Sequence, residues 1–273
     1  MPELPEVEQV RKTLLPHIKG KKITKVEIYL DRLIKHPTPE QFIKGLTGRT
    51  IEDVCRRGKY LVLQTGSDQK LIVHLRMTGS LVAQSSKLEP PAYAKIKFEL
   101  TDGVTMWFCD IRTFGTLYLV TDADCYIAGY ETLGPEPLTV GFNPEYLAPV
   151  AAKSRKPIKT LILDQTVIAG LGNIYADECL ALAGILPTRI ANTLTREEIE
   201  ALHEAANKVI AQGIANRGTT FRDYKDGEGN KGDNQNHLLV YGRGGEACKT
   251  CGEALVTTKV GGRGTTYCAN CQH

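Results

Sequence analysis

The chain has 273 residues, of which 42% are hydrophobic and 24% are charged, enough for about two domains with apolar cores. No apolar run approaches the roughly 18 residues that cross a bilayer, and the acidic start MPELPEVEQV lacks the apolar segment of a secretory signal, so we expect a cytoplasmic protein with no membrane partner. The formal net charge of +3 is too small to indicate a nucleic-acid partner by itself.

The first 121 residues predict a helix followed by a run of short strands. In 5–18 the apolar side chains recur every three or four positions and share one helix face. From 22 to 121 the pattern becomes alternating and rich in β-branched and aromatic residues, with one helix near 38–47. Strands this close together indicate an antiparallel sandwich or barrel. The strand segments are KITKVEIYL, KYLVLQTG, KLIVHLRMTG, AKIKFELTDG, VTMWFCDI and GTLYLVT.

The second half of the chain predicts a separate helical region. Residues 131–150 contain four prolines, so we place a hinge linker there. Helices are predicted around 158–162, over 173–183, and after the capping box formed by Thr195 and Glu198. The polar, glycine-rich stretch 225–234 has nothing to bury, so we expect a mobile loop.

The last 26 residues carry a metal-binding pattern of two C-x2-C pairs separated by sixteen residues. This spacing is typical of a four-thiolate zinc ribbon, and its closed tetrahedron predicts one structural zinc ion with no role in chemistry. Two disulfides are the alternative. Between the pairs, glycines flank Arg263, as at a hairpin tip that could contact a phosphate or a minor groove. The predicted ligands are Cys248, Cys251, Cys268 and Cys271; buried thiols are expected at Cys55, Cys109, Cys125 and Cys179.

The dipeptide Met1-Pro2 introduces an unusual nucleophile. Proline in second position permits removal of the initiator methionine, which would expose a secondary amine. Attack of that amine on C1′ of a deoxyribose gives an iminium that is already cationic. At an ordinary α-amino pKa only roughly a tenth to a sixth of the amine is neutral at pH 7, so a neighbouring base such as Glu3 or Glu6 would help. Alone, this opening is too common to decide anything.

Six motifs stand in one order and cover essentially the whole chain. They are MPELPEVE, RRGKY (56–60), HLRMTG (74–79), DIRTFG (110–115), GLGNIYADE (170–178) and the terminal cysteine pattern. In this combination the chain resembles the Fpg/Nei family of DNA glycosylases, and within it the formamidopyrimidine-DNA glycosylases (Fpg, also called MutM). The resemblance implies an α+β multidomain fold, with an N-terminal antiparallel β sandwich with flanking helices and a C-terminal helix–two-turn–helix domain plus zinc ribbon. The domains would be 1–130, a hinge at 131–150, 151–240 with a lesion-capping loop, and a zinc hairpin at 241–273.

The resemblance also implies a bifunctional DNA glycosylase and AP lyase of base excision repair. It would remove 8-oxoguanine and formamidopyrimidines through an N-terminal proline Schiff base, and cleave the abasic strand by β,δ-elimination. Its partner would be double-stranded DNA with oxidised purines or abasic sites, and the protein a monomer acting at the bacterial nucleoid. The implied catalytic residues are Pro2 as nucleophile, Glu3 as acid and base, Glu6 as support, Lys59 at the phosphate beside the lesion, and Arg263.

The implied DNA contacts have a physical rationale. A flipped purine leaves a void, which apolar wedges and a guanidinium can fill. The void-filling set is Met77, Arg112 and Phe114. A helix start such as GLGN can bind a phosphate. The implied phosphate contacts are His74, Lys159, Asn173, Tyr241 and Arg263. A loop containing Thr219, Thr220, Phe221, Arg222 and Tyr224 would close over the base and be disordered until a lesion binds.

Two other functions stay open at this level. A non-catalytic DNA-binding module would use the zinc ribbon and the helices but would form no covalent adduct on borohydride trapping. An endonuclease VIII-type enzyme would prefer oxidised pyrimidines, so cleavage of 8-oxoguanine and thymine glycol duplexes separates it from an Fpg-type enzyme. The LPEVE start and the Met–Arg–Phe set favour the Fpg branch.

Overall fold

The computed structural model describes residues 1–124 and 127–273. Its backbone divides into two compact units, a first of Met1–Glu131 with Asn216–Gln235 and a second of Thr132–Ala215 with Asn236–His273. These boundaries differ from the predicted ones, because the proline-rich stretch belongs to the second unit and part of the predicted helical domain belongs to the first. None of the helices in the described residues is long and apolar enough to cross a membrane.

The helices of the first unit are α1 (Leu4–Ile18) and α2 (Pro39–Leu46). Helix α1 buries its predicted apolar face, which consists of Val7, Val10, Leu14 and Ile18. Helix α2 begins after Thr38, whose hydroxyl accepts the Gln41 N–H at 3.3 Å. Both helices therefore start with polar or proline residues that suit a helix N-terminus.

The strands of the first unit form two sheets within the described residues. In chain order they are β1 (Ile23–Ile28), β2 (Ile34–His36), β3 (Asp53–Arg57), β4 (Tyr60–Gln64), β5 (Gln69–His74), β6 (Gly79–Ser85), β7 (Ala94–Leu100), β8 (Val104–Asp110) and β9 (Thr116–Thr121). One sheet has the order β1-β7-β8-β6 and the other β2-β9-β5-β4-β3. All pairs are antiparallel except β2 with β9, which is parallel. Strands β2, β3 and β6 are not predicted because they are short or only weakly alternating.

A single apolar core joins the two sheets. It contains Phe98 and Phe108 from one sheet and Leu63 and Leu119 from the other. The apolar face of α1 packs into the same cluster, together with Phe42 of α2, so that the predicted sandwich is confirmed. This core fixes the ends of the strands and the start of α1, where the candidate site residues lie.

The second unit consists of helices followed by a hairpin. Its helices are α3 (Pro144–Ala152), α4 (Ile158–Ile162), α5 (Asn173–Ala183) and α6 (Arg196–Ala215), and its strands are β10 (Val256–Val260) and β11 (Arg263–Tyr267). The predicted capping box opens α6, because the Thr195 N–H donates to Glu198 at 2.8 Å and the Glu198 N–H donates to Thr195 at 3.3 Å. Helix α3 begins inside the predicted linker and extends two residues beyond it, and Asn143 caps it by accepting the Tyr146 N–H at 2.9 Å.

Candidate active site

The first turn of α1 gathers the acidic residues predicted to be catalytic. Glu3 precedes the helix, and its backbone N–H donates to Oε2 of Glu6 at 2.8 Å. Both side chains are buried, Glu3 being 2% and Glu6 1% exposed. Pro2, the adjacent residue, is buried as well. The positive end of a helix favours carboxylates, so this turn can keep a base beside an amine at Pro2.

Glu6 also anchors the segment 216–235, which we call the capping loop. Its second oxygen, Oε1, accepts the Thr219 N–H at 2.7 Å. The Tyr224 hydroxyl donates to the Glu6 carbonyl at 3.3 Å, and burial raises the pKa of that phenol. A buried carboxylate needs such donors, since an unpaired buried charge is very costly. Glu6 therefore couples the start of α1 to the capping loop.

The prediction that 225–234 has nothing to bury is wrong. Asp226 is 1% exposed and forms an ion pair with Arg217 at 3.0 Å. It also accepts the backbone N–H groups of Glu228 and Asn230 at 3.0 and 2.8 Å. The Gly227 N–H donates to the Thr13 hydroxyl at 2.8 Å. Hydrogen bonds and an ion pair, rather than apolar packing, stabilise this stretch. Hydropathy does not predict such contacts, so no sequence pattern indicated them. Disorder of the loop before a lesion binds stays a prediction.

The tip of the capping loop is exposed, and its role in closing over a base stays a prediction. Phe221 is 51% exposed and Arg222 is also exposed. The tip is held at its base, since the Thr220 N–H donates to Gln235 at 2.8 Å and the Thr220 hydroxyl accepts the Gly232 N–H at 2.9 Å. An aromatic and a guanidinium on a fixed base can both stack on a nucleobase.

Lys59 lies in the tight turn between β3 and β4. Gly58 has a φ of +56°, a conformation that glycine adopts without strain. Lys59 is only 5% exposed, so it is not an ordinary surface lysine. The Arg56 guanidinium donates to the Gly58 carbonyl at 3.0 Å and to Glu8 of α1 at 3.1 Å. Arg56 thus fixes the Lys59 turn to the helix that carries Glu3 and Glu6.

Glu8 is the acceptor in this arrangement and was not predicted as a site residue. Burial acts to raise the pKa of Glu8, but hydrogen bonds and charge from Arg11 and Arg56 outweigh it and leave the pKa lowered. Arg11 reaches the Glu8 carboxylate at 2.7 Å. A carboxylate with two guanidinium partners stays ionised and keeps both in place. The only signal in the sequence is the i, i+3 spacing of the acid and Arg11.

The predicted void-filling residues lie on two loops, which we call the wedge loops: 75–78 between β5 and β6, and 111–115 between β8 and β9. Met77 is 41% and Phe114 51% exposed, so both are at loop tips rather than in the core, as predicted. The Arg112 guanidinium carbon lies 4.9 Å from the Phe114 ring centroid. This cation–π contact presents a charge and an aromatic face together.

His74, a predicted phosphate contact, is buried at the end of β5. Its ring packs edge-on against Tyr60 with centroids 4.4 Å apart, and its Nδ1 accepts the Arg76 N–H at 2.9 Å. Burial, assisted by the positive charges of Arg76 and Lys59, lowers the pKa of His74 to about 3. The imidazole is therefore neutral and carries its proton on Nε2, so it can offer a phosphate only an uncharged donor.

In the second unit, the GLGN motif starts helix α5 with no strand before it, as predicted. Gly172 is the N-cap residue, and the Asn173 amide nitrogen donates to the Gly264 carbonyl at 2.9 Å. Gly261 and Gly262, with φ of +56° and +76°, form the two-residue turn between β10 and β11. Arg263 is exposed at the first position of β11. The asparagine side chain thus links the helix start to the hairpin that carries Arg263.

The prediction that Lys159 contacts a phosphate is wrong. Its side chain is completely buried, and its Nζ lies 2.6 Å from Asp177 of α5. The same ammonium donates to the Thr265 hydroxyl at 2.7 Å and to the Gly264 carbonyl at 3.0 Å. Burial raises the pKa of Asp177 to about 6, against the opposing pull of Lys159 and of the Thr266 N–H. Lys159 is therefore an internal clamp on β11.

Glu178, the neighbour of Asp177, plays a similar role that was not predicted. Its carboxylate accepts the backbone N–H groups of Leu239, Val240 and Tyr241 at 2.6, 2.9 and 2.8 Å. Burial raises the pKa of Glu178, although those three N–H groups favour the charged form. Tyr241, a predicted phosphate contact, is thereby fixed through its backbone. The sequence signal that could have indicated this buried role is the pair of adjacent acids, Asp177 and Glu178, in an otherwise mostly apolar helix.

The four predicted metal ligands come together at one point. The sulfur atoms of Cys248, Cys251, Cys268 and Cys271 all lie within 4.8 Å of one another. The sulfur atoms of Cys251 and Cys268 lie 3.5 Å apart, which is a contact between free thiols and not a disulfide. Backbone N–H groups lower the pKa of Cys248 to about 6, whereas hydrogen bonds with Cys251 and Cys268 raise the pKa of Cys271 to about 12. The donor set therefore fits one tetrahedral structural zinc ion.

The cysteines outside this cluster differ from one another. Cys109 and Cys179 are buried as predicted, and burial raises the pKa of Cys109 to about 11. Cys55 is only partly buried, and Cys125 lies outside the described residues.

Comparison with known proteins gives matches along the whole chain. Residues 1–117 match the formamidopyrimidine-DNA glycosylase N-terminal domain, 133–225 the formamidopyrimidine-DNA glycosylase H2TH domain, and 245–273 the zinc finger found in FPG and IleRS. A formamidopyrimidine-DNA glycosylase of Moorella thermoacetica is 47% identical over 93% of both chains. The chain belongs to the formamidopyrimidine-DNA glycosylase family.

Solved structures of this family have the same fold. A Lactococcus lactis FPG mutant in complex with Fapy-dG containing DNA superposes with a TM-score of 0.92 at 38% identity, over 100% of both chains. MutM in complex with carbocyclic 8-oxo-G containing DNA gives a TM-score of 0.91, also at 38% identity and over 100% of both chains. This member of the family therefore has the β sandwich, the H2TH helices and the zinc finger that its sequence predicted.

Proposed function

We propose that this chain is a bifunctional DNA glycosylase and AP lyase of base excision repair, which removes oxidised purines from duplex DNA and then cleaves the abasic strand. Family membership supports the reaction class. The observation that carries the residue assignment is the Glu6 carboxylate, which binds the N–H groups of both Glu3 and Thr219. It holds the residue next to Pro2 and the capping loop in one fixed arrangement.

The proposed reaction begins after removal of Met1, when the Pro2 amine attacks C1′ of the damaged nucleotide. The bond between C1′ and the base breaks, and the base leaves with the bonding electrons and a proton. Glu3 donates a proton to the ring oxygen of the sugar as the ring opens, which leaves an iminium between Pro2 and C1′.

Strand cleavage follows from the same iminium. It acidifies the C2′ protons, so a base removes one and the 3′ phosphate leaves; a second elimination expels the 5′ phosphate. Water then hydrolyses the imine and returns the Pro2 amine. Lys59 and Arg263 are proposed to bind the phosphates at the lesion. The zinc ion supplies structure only, by fixing the hairpin that carries Arg263.

The remaining assignments concern DNA and location. Met77, Arg112 and Phe114 are proposed to fill the void in the duplex; Asn173, Tyr241 and His74 to bind phosphates; and Thr219, Thr220, Phe221, Arg222 and Tyr224 to close over the base. We also propose that the protein works as a monomer in the bacterial cytoplasm on nucleoid DNA.

The decisive experiment is borohydride reduction of the protein mixed with 8-oxoguanine duplex, followed by intact mass measurement. We expect a protein without Met1 that carries one covalently bound DNA fragment. Pro2→Gly should lose most of the adduct, whereas Pro5→Ala, in the first turn of α1, should keep it. Active protein that retains Met1 would overturn the proposal. Equal cleavage of thymine glycol duplex would overturn the preference for purines.

A second experiment tests the proton donor. Glu3→Gln keeps the size of the side chain but cannot transfer a proton, so excision should slow by roughly 10²- to 10⁴-fold. Single-turnover excision of 8-oxoguanine measures this rate, and DNA binding should change little. A Glu3→Gln protein that excises at the normal rate would remove Glu3 from the mechanism.

A further inference from the structure

The two wedge loops are joined by one buried carboxylate, that of Asp110 at the end of β8. Asp110 is 1% exposed. Its Oδ1 accepts the Thr78 hydroxyl at 2.6 Å and its Oδ2 accepts the Gly115 N–H at 2.8 Å. One carboxylate therefore binds the end of the first wedge loop, at Thr78, and the end of the second, at Gly115.

Thr78 completes the connection through its oxygen. While its hydroxyl donates to Asp110, the same oxygen accepts the Arg112 N–H at 2.9 Å. A hydroxyl can do both, because it has one donor and two lone pairs. The three hydrogen bonds thus reach the residue after Met77, the backbone of Arg112 and the residue after Phe114. Each void-filling side chain is at or next to a bonded position.

The backbone of both loops needs such restraint. Arg76 has a φ of +54° and Thr113 a φ of +56°, which are unfavourable for residues with a Cβ. Such conformations persist only where the surroundings fix them. Gly115 admits no side chain, since a Cβ there would lie 2.4 Å from the Phe108 ring. Arg76 is held by His74 and Thr113 by Arg32, each through a hydrogen bond, whereas the bonds to Asp110 and Thr78 connect the two loops to each other.

We propose that Thr78 and Asp110 are positioning residues, which hold Met77, Arg112 and Phe114 in the relative arrangement that fills the void left by a flipped base. The proposal rests on the proposed function. It predicts that losing the hydrogen bond between Thr78 and Asp110 impairs extrusion of a paired base but not the bond cleavage that follows.

The test compares two substrates in single-turnover reactions. Excision of 8-oxoguanine paired with cytosine requires the void to be filled, whereas cleavage of an abasic site in single-stranded DNA does not. Thr78→Val keeps the shape but removes the hydroxyl, and a buried acceptor left without its donor costs enough to slow the first reaction by about tenfold or more. The single-strand reaction should stay within about twofold, and Thr78→Ser, which keeps the hydroxyl, should restore the first reaction.

Thr116→Val in β9 is the matched control. Its hydroxyl is buried and has no hydrogen-bond partner among the described residues, so its removal should leave both reactions unchanged. A fluorescent 2-aminopurine beside the lesion supplies a second readout: Thr78→Val should reduce the fluorescence rise that follows base extrusion. An equal loss on both substrates, or no loss on paired DNA, would overturn the proposal. Failure of the unaltered protein on both substrates would instead overturn the proposed function.

Asp110→Asn tests whether the two residues act as one device. The amide cannot accept both donors, so this variant should lose paired-substrate activity in the same way. Because both residues share one hydrogen bond, the double variant with Thr78→Val should be no slower than the worse single variant. If the rate loss of the double variant equals the product of the two single losses, the two residues act separately, which would overturn the proposal.

Discussion

The β sandwich and the zinc hairpin are stabilised by different means. The sandwich has a continuous apolar core that spans two sheets and α1. Around the hairpin the apolar cluster contains only Val240, Leu255 and Cys268 as fully buried members among the described residues. There the buried ion pair Lys159–Asp177 and the four-cysteine metal site supply the stability that the small buried apolar area cannot.

This difference has a consequence for function. An apolar core loses stability in increments when it is altered, because each side chain contributes separately to buried area. A metal site or a buried ion pair fails as a whole, because losing one member leaves the others uncompensated. Arg263 lies on the hairpin, which depends on the metal site and the ion pair, whereas Glu3 and Glu6 lie at the start of α1, which packs into the apolar core.

The largest expected effect is loss of the zinc site. Cys251→Ser should abolish zinc binding, unfold the hairpin and weaken DNA binding, since structural zinc contributes on the order of 10–16 kcal/mol to the folding of such segments. The sandwich should be unaffected. Trp107 is the chain's sole tryptophan and lies buried in β8, so its fluorescence reports the sandwich alone.

Zinc content, DNA affinity and the Trp107 unfolding midpoint together check this prediction. Cys55→Ser, which alters a partly buried thiol outside the cluster, is the control and should keep all three. A sandwich that melts when zinc is lost would contradict the separation between the two regions.

The next effect in size comes from the buried ion pair. Lys159→Met leaves the Asp177 carboxylate buried without its partner, which should cost about 3–5 kcal/mol locally. Hydrogen exchange of the Thr266 N–H, which donates to Asp177 at 3.1 Å, measures this cost. The double variant with Asp177→Leu should recover much of it.

Lys156→Met is the matched control for that variant. Lys156 pairs with Asp164 at 3.8 Å but is 58% exposed, so its loss should cost less than about 1 kcal/mol.

The salt dependence of DNA binding tests whether Lys159 is a buried ion-pair partner or a phosphate contact. Loss of a phosphate contact would make the slope of log K against log salt shallower by about 0.9, whereas Lys159→Met should leave it unchanged.

The smallest effect is a pH dependence within the sandwich. Because the pKa of His74 is about 3 when folded, the unfolded chain binds an extra proton between that value and its ordinary pKa near 6.5. The folded state therefore has its full stability above pH 6.5, the pKa of His74 in the unfolded chain, and loses stability as the pH falls below that value. Between pH 7.5 and 5.5 the loss should be about 1.4 kcal/mol.

Denaturant unfolding followed by Trp107 fluorescence at the two pH values checks this. His74→Gln should flatten the difference, whereas His36→Gln, at a histidine that is 43% exposed on β2, should not. An unchanged slope in the His74 variant would assign the pH dependence to another group.

Sequence patterns predicted the elements whose signals are local. Helix α5 spans Asn173–Ala183 as predicted, because its start and its Gly184 end are both marked in the sequence. Helix α3 was missed because four prolines outweighed the Asn143 cap and a proline-tolerant first turn. The exposure of Met77 and Phe114 was predicted from strand ends and glycines, a local signal again.

The sequence by itself predicted the sandwich with its apolar α1 face and the cysteine site, because these depend on periodicity and short spacing. The order of its motifs indicated the family, and the candidate catalytic residues follow from that resemblance and stay predictions. Only the tertiary structure decided that Lys159 is a buried clamp, that the capping loop folds on polar contacts, and that Asp110 joins two loops. Those outcomes depend on pairs of polar groups far apart in sequence, such as Lys159 with Thr265. Whether a charged side chain faces water or a partner is set by folding, and no residue pattern encodes it.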